Sequence, residues 1–443
     1  MRERITILNP SSSHDGVVEE VTDDSVTLNV KPDFLIETRT TAEYPEFDTI
    51  QQLRIHMIED VDLGKYNVFS YNYLTGVSIY AQPKPGASPD EFYDELEHVL
   101  EDIEGVAVNR HQWIHTPQAV YFHDVLDSPQ PGRTPVLDTY YAQGVKVTKT
   151  VETAKSRHLH FFKKVDHYTE IGLFLVDETI SSRDDVVLSG LRWVFDPEYP
   201  EDPRDLHETL FHIKPRHRVL ANSDAATKIV PNGLHPIVKT EFHVAQLPKD
   251  DDLKQCRLYY YAHLTRHFIF DKYQSVPSQA SLVATHGETN LELPEYAVTQ
   301  GAEIMFEFPL NYTGPIELTL HSRYQKPDPK AADGVVEQLV VPPKLFYACD
   351  VDDDHLLAKS PLDNKRQIGG NYEGYFSEDT VFYHFADENS GGPVAVAIPV
   401  AHGSYQRVQW LTQGALVVGT LMILTALVAR VFRWSRTPKP KQE

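Results

Sequence analysis

The densest group of chemistry-bearing side chains is Asp350-Val-Asp352-Asp353-Asp354-His355. Carboxylates one residue apart, as in Asp350 and Asp352, offer hard oxygens to Mg²⁺ or Mn²⁺ and, through the ion, to a nucleotide-sugar diphosphate. That would be the chemistry of a metal-dependent glycosyltransferase. A calcium loop does not fit, because His355 stands where its Gly is needed and Pro361 where its bidentate Glu is needed. In so acidic a chain the same run also suits a solvated loop. Histidines occur in pairs: His158 and His160 share a strand face, and His263 and His267 share a helical face if their segment is helical. Imidazole pairs can hold zinc, but no third ligand is indicated. Cys256 and Cys349 are the chain's 2 cysteines, too few for a cysteine zinc cluster. In an oxidising compartment they can close one bridge, and in a reducing one they stay thiols. A loop that long would stabilise by about 4–5 kcal/mol on the entropy account. No glycine-rich phosphate loop follows a strand, and neither a G-x-S-x-G elbow nor an H-E-x-x-H pair occurs. No cofactor or metal is implied. Asn311-Tyr-Thr313 is a glycosylation sequon, whereas Asn9-Pro-Ser11 is disqualified by its central Pro.

The elements that must carry these groups are mostly strands. Of 443 residues, 23 are Tyr, 20 Phe and 30 Pro but only 4 Met, a balance that favours strands and turns over helix bundles. Strand-like runs are Tyr66–Tyr71, Val77–Ala81, Val145–Val151, Ile171–Val176, Leu191–Phe195, Leu258–Tyr261, Phe268–Phe270, Ile304–Phe308, Ile316–Leu320 and Val394–Val400. Asn72–Gly76 between the first two reads as a hairpin loop. One helix stands out. Ser88 is its cap, Pro89 takes the first helical position and Glu91 completes a capping box. Phe92, Leu96, Val99 and Ile103 recur at helical spacing, and Gly105 supplies the stop. Joints are expected at 128–135 and 222–233. The expected layout is an N-terminal α+β unit (1–130), a central β-rich unit (136–233), a third β unit (234–350), a polar stalk (351–406), an apolar span (408–430) and a basic tail (431–443). The fold class is mainly β, with sandwich-like domains and a single C-terminal transmembrane helix.

Charge and hydropathy place the chain. With 41 Lys+Arg against 64 Asp+Glu the formal net charge is −23, which excludes a generic nucleic-acid binder. The opening residues lack the 7–15-residue apolar run of a signal peptide. Val408 to Ala429 is a run of 22 residues without a charge. As a helix it is about 33 Å long, enough for a hydrocarbon core of about 30 Å. Trp410 and Trp434 flank it at interface positions. Arg430, Arg433, Arg436, Lys439 and Lys441 follow it, so the positive-inside bias places the tail in the cytosol and the acidic bulk in the lumen. Lys439 and Lys441 match the spacing of a retrieval signal for the endoplasmic reticulum. A tail-anchored protein with a cytosolic bulk has the same outline; the charge bias, the lysine pair and the sequon oppose it. Thr412, Ala415, Gly419, Met422 and Ala426 fall on one helical stripe where another helix can approach closely, with packing and hydroxyl hydrogen bonds holding the pair.

Four ordered segments carry a family resemblance. They are Leu264-Thr-Arg-His-Phe-Ile-Phe-Asp271-Lys-Tyr273, Asn290-Leu-Glu-Leu-Pro294-Glu-Tyr296, His321-Ser-Arg323-Tyr324-Gln-Lys-Pro327 and Pro343-Lys-Leu-Phe-Tyr-Ala-Cys349. Together with the span they resemble the PIG-X family, in its long fungal, protease-B-nonderepressible-type branch. Leu264-Thr-Arg stands where the family has Leu-Pro-x, which bears on the turn before Phe268. The resemblance implies a non-catalytic, lumenal subunit anchored in the endoplasmic-reticulum membrane. Its implied partner is the multi-spanning mannosyltransferase that adds the first mannose to glycosylphosphatidylinositol (GPI) precursors, which it stabilises. The alternatives are a broader lumenal chaperone or quality-control factor and the Asp350/Asp352 glycosyltransferase. Within His321–Tyr324, strand alternation sets His321 and Arg323 on one face and Ser322 and Tyr324 on the other. Arg323 is expected in an internal salt bridge at a sheet edge and Tyr324 in the packing.

Overall fold

The structure is a computed structural model. It describes residues 1–59, 76–124, 136–155, 157–176, 186–198, 204–213, 216–244, 246–248, 253–331, 334–351, 371–377, 379–387, 394–401 and 403–435. Among them strands dominate, gathered into two large sheets, and one long apolar helix closes the chain.

The N-terminal sheet has 11 strands. Arg2–Asn9 lies inside it, parallel to Tyr168–Val176 and antiparallel to Leu35–Glu43. Alternation in Arg2–Asn9 turns Ile5 and Ile7 onto a core with Ile171, Leu173 and Trp193. A small sheet bearing Val26, Leu28 and Val30 covers that core. Further along, helix α1 (Pro89–His98) lays Phe92, Tyr93 and Leu96 onto Leu53, Ile55 and Ile79. Ser88 takes the extended cap conformation, but its side chain makes no capping bond, so the expected capping box does not form. A π-helical turn, Val99–Ile103, follows the helix and brings Leu100 inward, leaving Ile103 exposed. Gly105 then takes φ +68°, the left-handed stop that glycine suits.

The C-terminal sheet has 8 strands, ordered Ser281–Gly287, Ala302–Phe308, Leu253–Leu264, Lys344–Val351, Thr380–Asp387, His217–Val230, Ile237–Val244, Ile316–Thr319. A two-stranded ribbon, in which Val335–Val340 pairs with Val394–Pro399, packs Val340, Val396 and Ile398 against it. The core between them holds Tyr260, Phe306, Leu318 and Tyr347.

Several sequence expectations give way here. Residues 222–233 are no joint, because His217–Val230 is one continuous strand. The first two expected units share a sheet, since Val136–Ala142 pairs with Ile50–Ile58. Among the described residues of 351–406 the expected polar stalk gives way to a central strand: Thr380–Asp387 sits between Lys344–Val351 and His217–Val230, with Val381, Phe382, Tyr383 and Phe385 buried. A strand covered on both faces loses the polar alternation that would have announced it. Tyr66–Tyr71, the joint at 128–135, and Lys439 and Lys441 lie outside the described residues.

A buried ionic network ties the sheets together. The carboxylate of Glu373, in the turn Asn371–Tyr375, lies 3.7 Å from Arg54 Nη1 on the N-terminal sheet and 3.5 Å from Arg216 Nη1 on the C-terminal side. His217 Nε2 is 3.2 Å from the same carboxyl, and Arg54 Nε pairs with Asp138 at 3.1 Å. Despite desolvation, the hydrogen bond to His217 and the Arg54 and Arg216 guanidinium groups hold the Glu373 carboxyl well below the usual carboxylate range, and Arg54 does the same for Asp138.

Helix α2 (Tyr405–Ser435) contains the apolar span, and none of the described residues covers it. It starts three residues before the expected 408 boundary, so Arg407 lies inside the helix.

Candidate docking surface

Three of the four resemblance segments meet at one place. Phe268 and Ile269 pair with Ser322 and His321, bringing the first segment against the third. The turn before Phe268 forms without the family's proline, through Phe268 N–H donating to the Thr265 carbonyl (3.1 Å). Asp271 is buried and its Oδ1 accepts from the Tyr273 N–H at 2.9 Å. Its carbonyl accepts from the Ser275 N–H at 2.7 Å. This is an Asx turn, and it throws Tyr273 outward to 85% exposure.

Arg323 is the hub. It is 2% exposed and forms no salt bridge among the described residues, contrary to the sequence expectation. Its Nη1 donates to the carbonyls of Asn290 (2.6 Å) and Leu293 (2.8 Å), and its Nη2 to that of Glu288 (3.0 Å). Its own N–H donates to the His267 carbonyl at 2.8 Å. The planar fork thus gathers a loop whose carbonyls have no strand partner, which a point charge such as lysine does less well. Pro294 precedes the short turn Glu295–Ala297, and Glu295 N–H donates to the Tyr324 carbonyl (3.0 Å). Arg266 Nε reaches the Glu295 carboxylate at 2.9 Å. His321 packs edge-on against His235 with ring centroids 4.6 Å apart, and burial lowers its pKa.

The strand containing His321 ends at Ser322, so alternation does not continue. Ser322 and Arg323 are both buried, and Tyr324 points out at 73% exposure instead of packing. Tyr296 is also exposed and meets the ring of Tyr405, the first residue of α2, at 5.7 Å. Lys326 Nζ lies 5.0 Å above the same ring. The tyrosines are therefore presented by a hydrogen-bonded loop system that touches the foot of the apolar helix through Tyr296 and Lys326. Tyr296 stood within a resemblance segment, yet its pairing with Tyr405 depends on tertiary contact that spacing does not reveal.

Elsewhere the expected site residues scatter. Pro343 is half-buried at the start of Lys344–Val351, and Cys349 in that strand is bridged to Cys256 with an S–S distance of 2.09 Å. Asn311 is exposed in a turn where Tyr312 N–H donates to the Pro309 carbonyl. Thr412, Ala415, Met422 and Ala426 are exposed along α2 and Gly419 is half-exposed; a Cβ added there would meet nothing. The Thr412 hydroxyl donates to the Val408 carbonyl of its own helix (2.9 Å), so it is already satisfied there. Asp350 accepts from the Thr380 hydroxyl at 3.1 Å, and Asp352 to His355 lie outside the described residues. His158 pairs with Glu19 and His160 with Thr27, so the two do not converge on one point. His263 ends a strand and His267 lies in the following turn, not on one helix. No group of three or more His, Cys, Asp or Glu side chains is placed to hold a metal among the described residues.

The architecture is that of a β protein with, among the described residues, one helix long and apolar enough to cross a membrane, and an exposed aromatic loop surface beside the start of that helix. The chain belongs to the PIG-X / PBN1 family. The family profile matches residues 231–428. Protein PBN1 of Candida albicans is 37% identical over the full length of both chains. Protein PBN1 of Debaryomyces hansenii is 32% identical, covering 98% of this chain and 97% of its own. Protein PBN1 of Saccharomyces cerevisiae is 30% identical over 49% of each chain. Membership supports a role in GPI-anchor biosynthesis.

Proposed function

We propose that this protein is the non-catalytic, stabilising subunit of GPI mannosyltransferase I, held in the endoplasmic-reticulum membrane by α2 with its β region in the lumen. The observation that carries this reading is the exposed tyrosine surface at the foot of an uncovered apolar helix. Large aromatic side chains on a rigid frame are effective anchors, because little conformational entropy is lost when a partner covers them. A multi-spanning enzyme offers both complements at once, a groove for the stripe Thr412, Ala415, Gly419, Met422 and Ala426 and lumenal loops for Tyr273, Tyr296 and Tyr324. Binding only the folded enzyme stabilises it by mass action. The Cys256–Cys349 bridge suits an oxidising compartment, and exposed Asn311 is reachable by a lumenal glycosyltransferase.

The test is a mild-detergent pull-down through the full chain, followed by identification of what remains bound. The expected result is one multi-spanning mannosyltransferase whose abundance falls when this protein is depleted. Loss of many unrelated membrane enzymes on depletion would favour a general chaperone instead. Lumenal placement predicts an endoglycosidase-sensitive mass shift that disappears in Asn311→Gln.

A further inference from the structure

A second site lies away from the tyrosine surface, where the two sheets meet. A cleft of about 560 Å³ opens beside Ser281–Gly287, the edge strand of the C-terminal sheet. Glu303 lines it although the residue is only 2% exposed. The carboxylate accepts from the Tyr261 hydroxyl (2.8 Å) and from the Tyr375 hydroxyl. Among the described residues no lysine, arginine or histidine forms an ion pair with it. Burial pushes its pKa up to about 7, against the lowering effect of the two hydroxyls. This differs from Glu373, where cations fill the same need from within the chain. Tyr80, Tyr121 and Tyr375 also line the cleft. Aromatic faces attract cations, and a desolvated carboxylate without a counter-ion attracts them more strongly still. The Thr285 hydroxyl, on the edge strand and buried, has no partner.

We propose that this cleft receives the cationic head of a lysine or arginine side chain from another protein, seated among the tyrosines with its charge against Glu303. An edge strand with exposed Val283 favours a protein segment over a free amine, since such an edge can take backbone and side chain together. The site needs neither the span nor the motif tyrosines, so it stands or falls apart from the function proposed above.

The groups facing Glu303 define the pH response. His263 and His286 are its register partners on the two flanking strands. Burial holds His263 down at about 3 and His286 below its ordinary value. Tyr121, Tyr261 and Tyr375 are raised by burial. Glu303 is then the group that gains charge between pH 6 and 8. Its ionised fraction rises about tenfold over that interval, and apparent affinity for a cation follows.

The test uses the full chain in detergent with acetyl-Gly-Lys-Gly-amide and its neutral analogue carrying norleucine, read by calorimetric titration and thermal shift. The expected result is saturable binding of the lysine peptide alone, about tenfold tighter at pH 8 than at pH 6 and lost in Glu303→Gln. Gly374→Leu provides a variant that leaves the carboxylate network intact. A Cβ there meets Tyr80 at an ordinary 3.6 Å, and the longer side chain plugs the cleft. It should keep the unliganded melting temperature and lose the peptide. Equal binding of both peptides, or wild-type binding by Gly374→Leu, overturns the proposal. Saturation by n-butylamine without binding of the lysine peptide overturns the protein as its source.

Discussion

Between the two sheets, Glu373 meets Arg54 and Arg216 with all three side chains buried. At the foot of α2, Arg323 is buried as deeply but meets only backbone carbonyls. The first arrangement closes on itself: its charges are matched within the chain, and its product is a fixed relation between sheets. The second uses one cation to shape a loop, and the large side chains on that loop remain uncovered. Of these two places, only the second leaves large side chains exposed to a partner. The comparison separates residues that hold the protein together from residues that can hold something else.

Breaking the junction should have the largest effect. Glu373→Ala removes the carboxylate shared by two buried guanidinium groups and should cost about 3–5 kcal/mol in denaturant unfolding. The carboxyl is held below its unfolded value of about 4.3. Its contribution is therefore complete above about pH 5 and disappears as pH falls through the acid range. A wild-type chain whose stability stays flat from pH 6 to pH 3 would argue against that network.

Arg323→Met should cost less, about 2–3 kcal/mol, because carbonyls lose a donor but no charge is stranded. Amide exchange should accelerate across 288–295 while the junction keeps its protection. Uniform loss of protection in both regions would erase the distinction drawn here. The smallest effect on stability belongs to Tyr273→Ser with Tyr324→Ser, within about 0.5 kcal/mol because both side chains are exposed. That pair should nevertheless retain at least tenfold less partner in the mild-detergent pull-down. Undiminished retention would move the docking surface elsewhere.

Much of this was legible in the sequence because it is local. Period-2 runs such as Val145–Val151 mark strands with one buried face, and the uncharged run from Val408 marks the apolar helix. Phe92 and Leu96 mark α1 by their spacing. The failures share a cause, which is dependence on distant chain. Thr380–Asp387 is a central strand only because His217–Val230 and Lys344–Val351 arrive on either side. Glu303 and Glu373 look like ordinary surface acids until their tyrosine and arginine partners are in place. Tyr324 follows a buried arginine whose partners are carbonyls some thirty positions upstream, so two-residue alternation misplaced both.

Glu373 lies late in the chain, between the N-terminal sheet it secures and the helix that follows. During synthesis, Arg216 exists for more than a hundred and fifty residues of further elongation before the carboxylate that neutralises it is made. A chain cut short before that point carries all 11 strands of the first sheet but lacks the carboxylate shared with the second. The carboxylate shared by the two sheets is thus made late, with only Thr380–Asp387, Val394–Pro399 and α2 still to follow among the described elements.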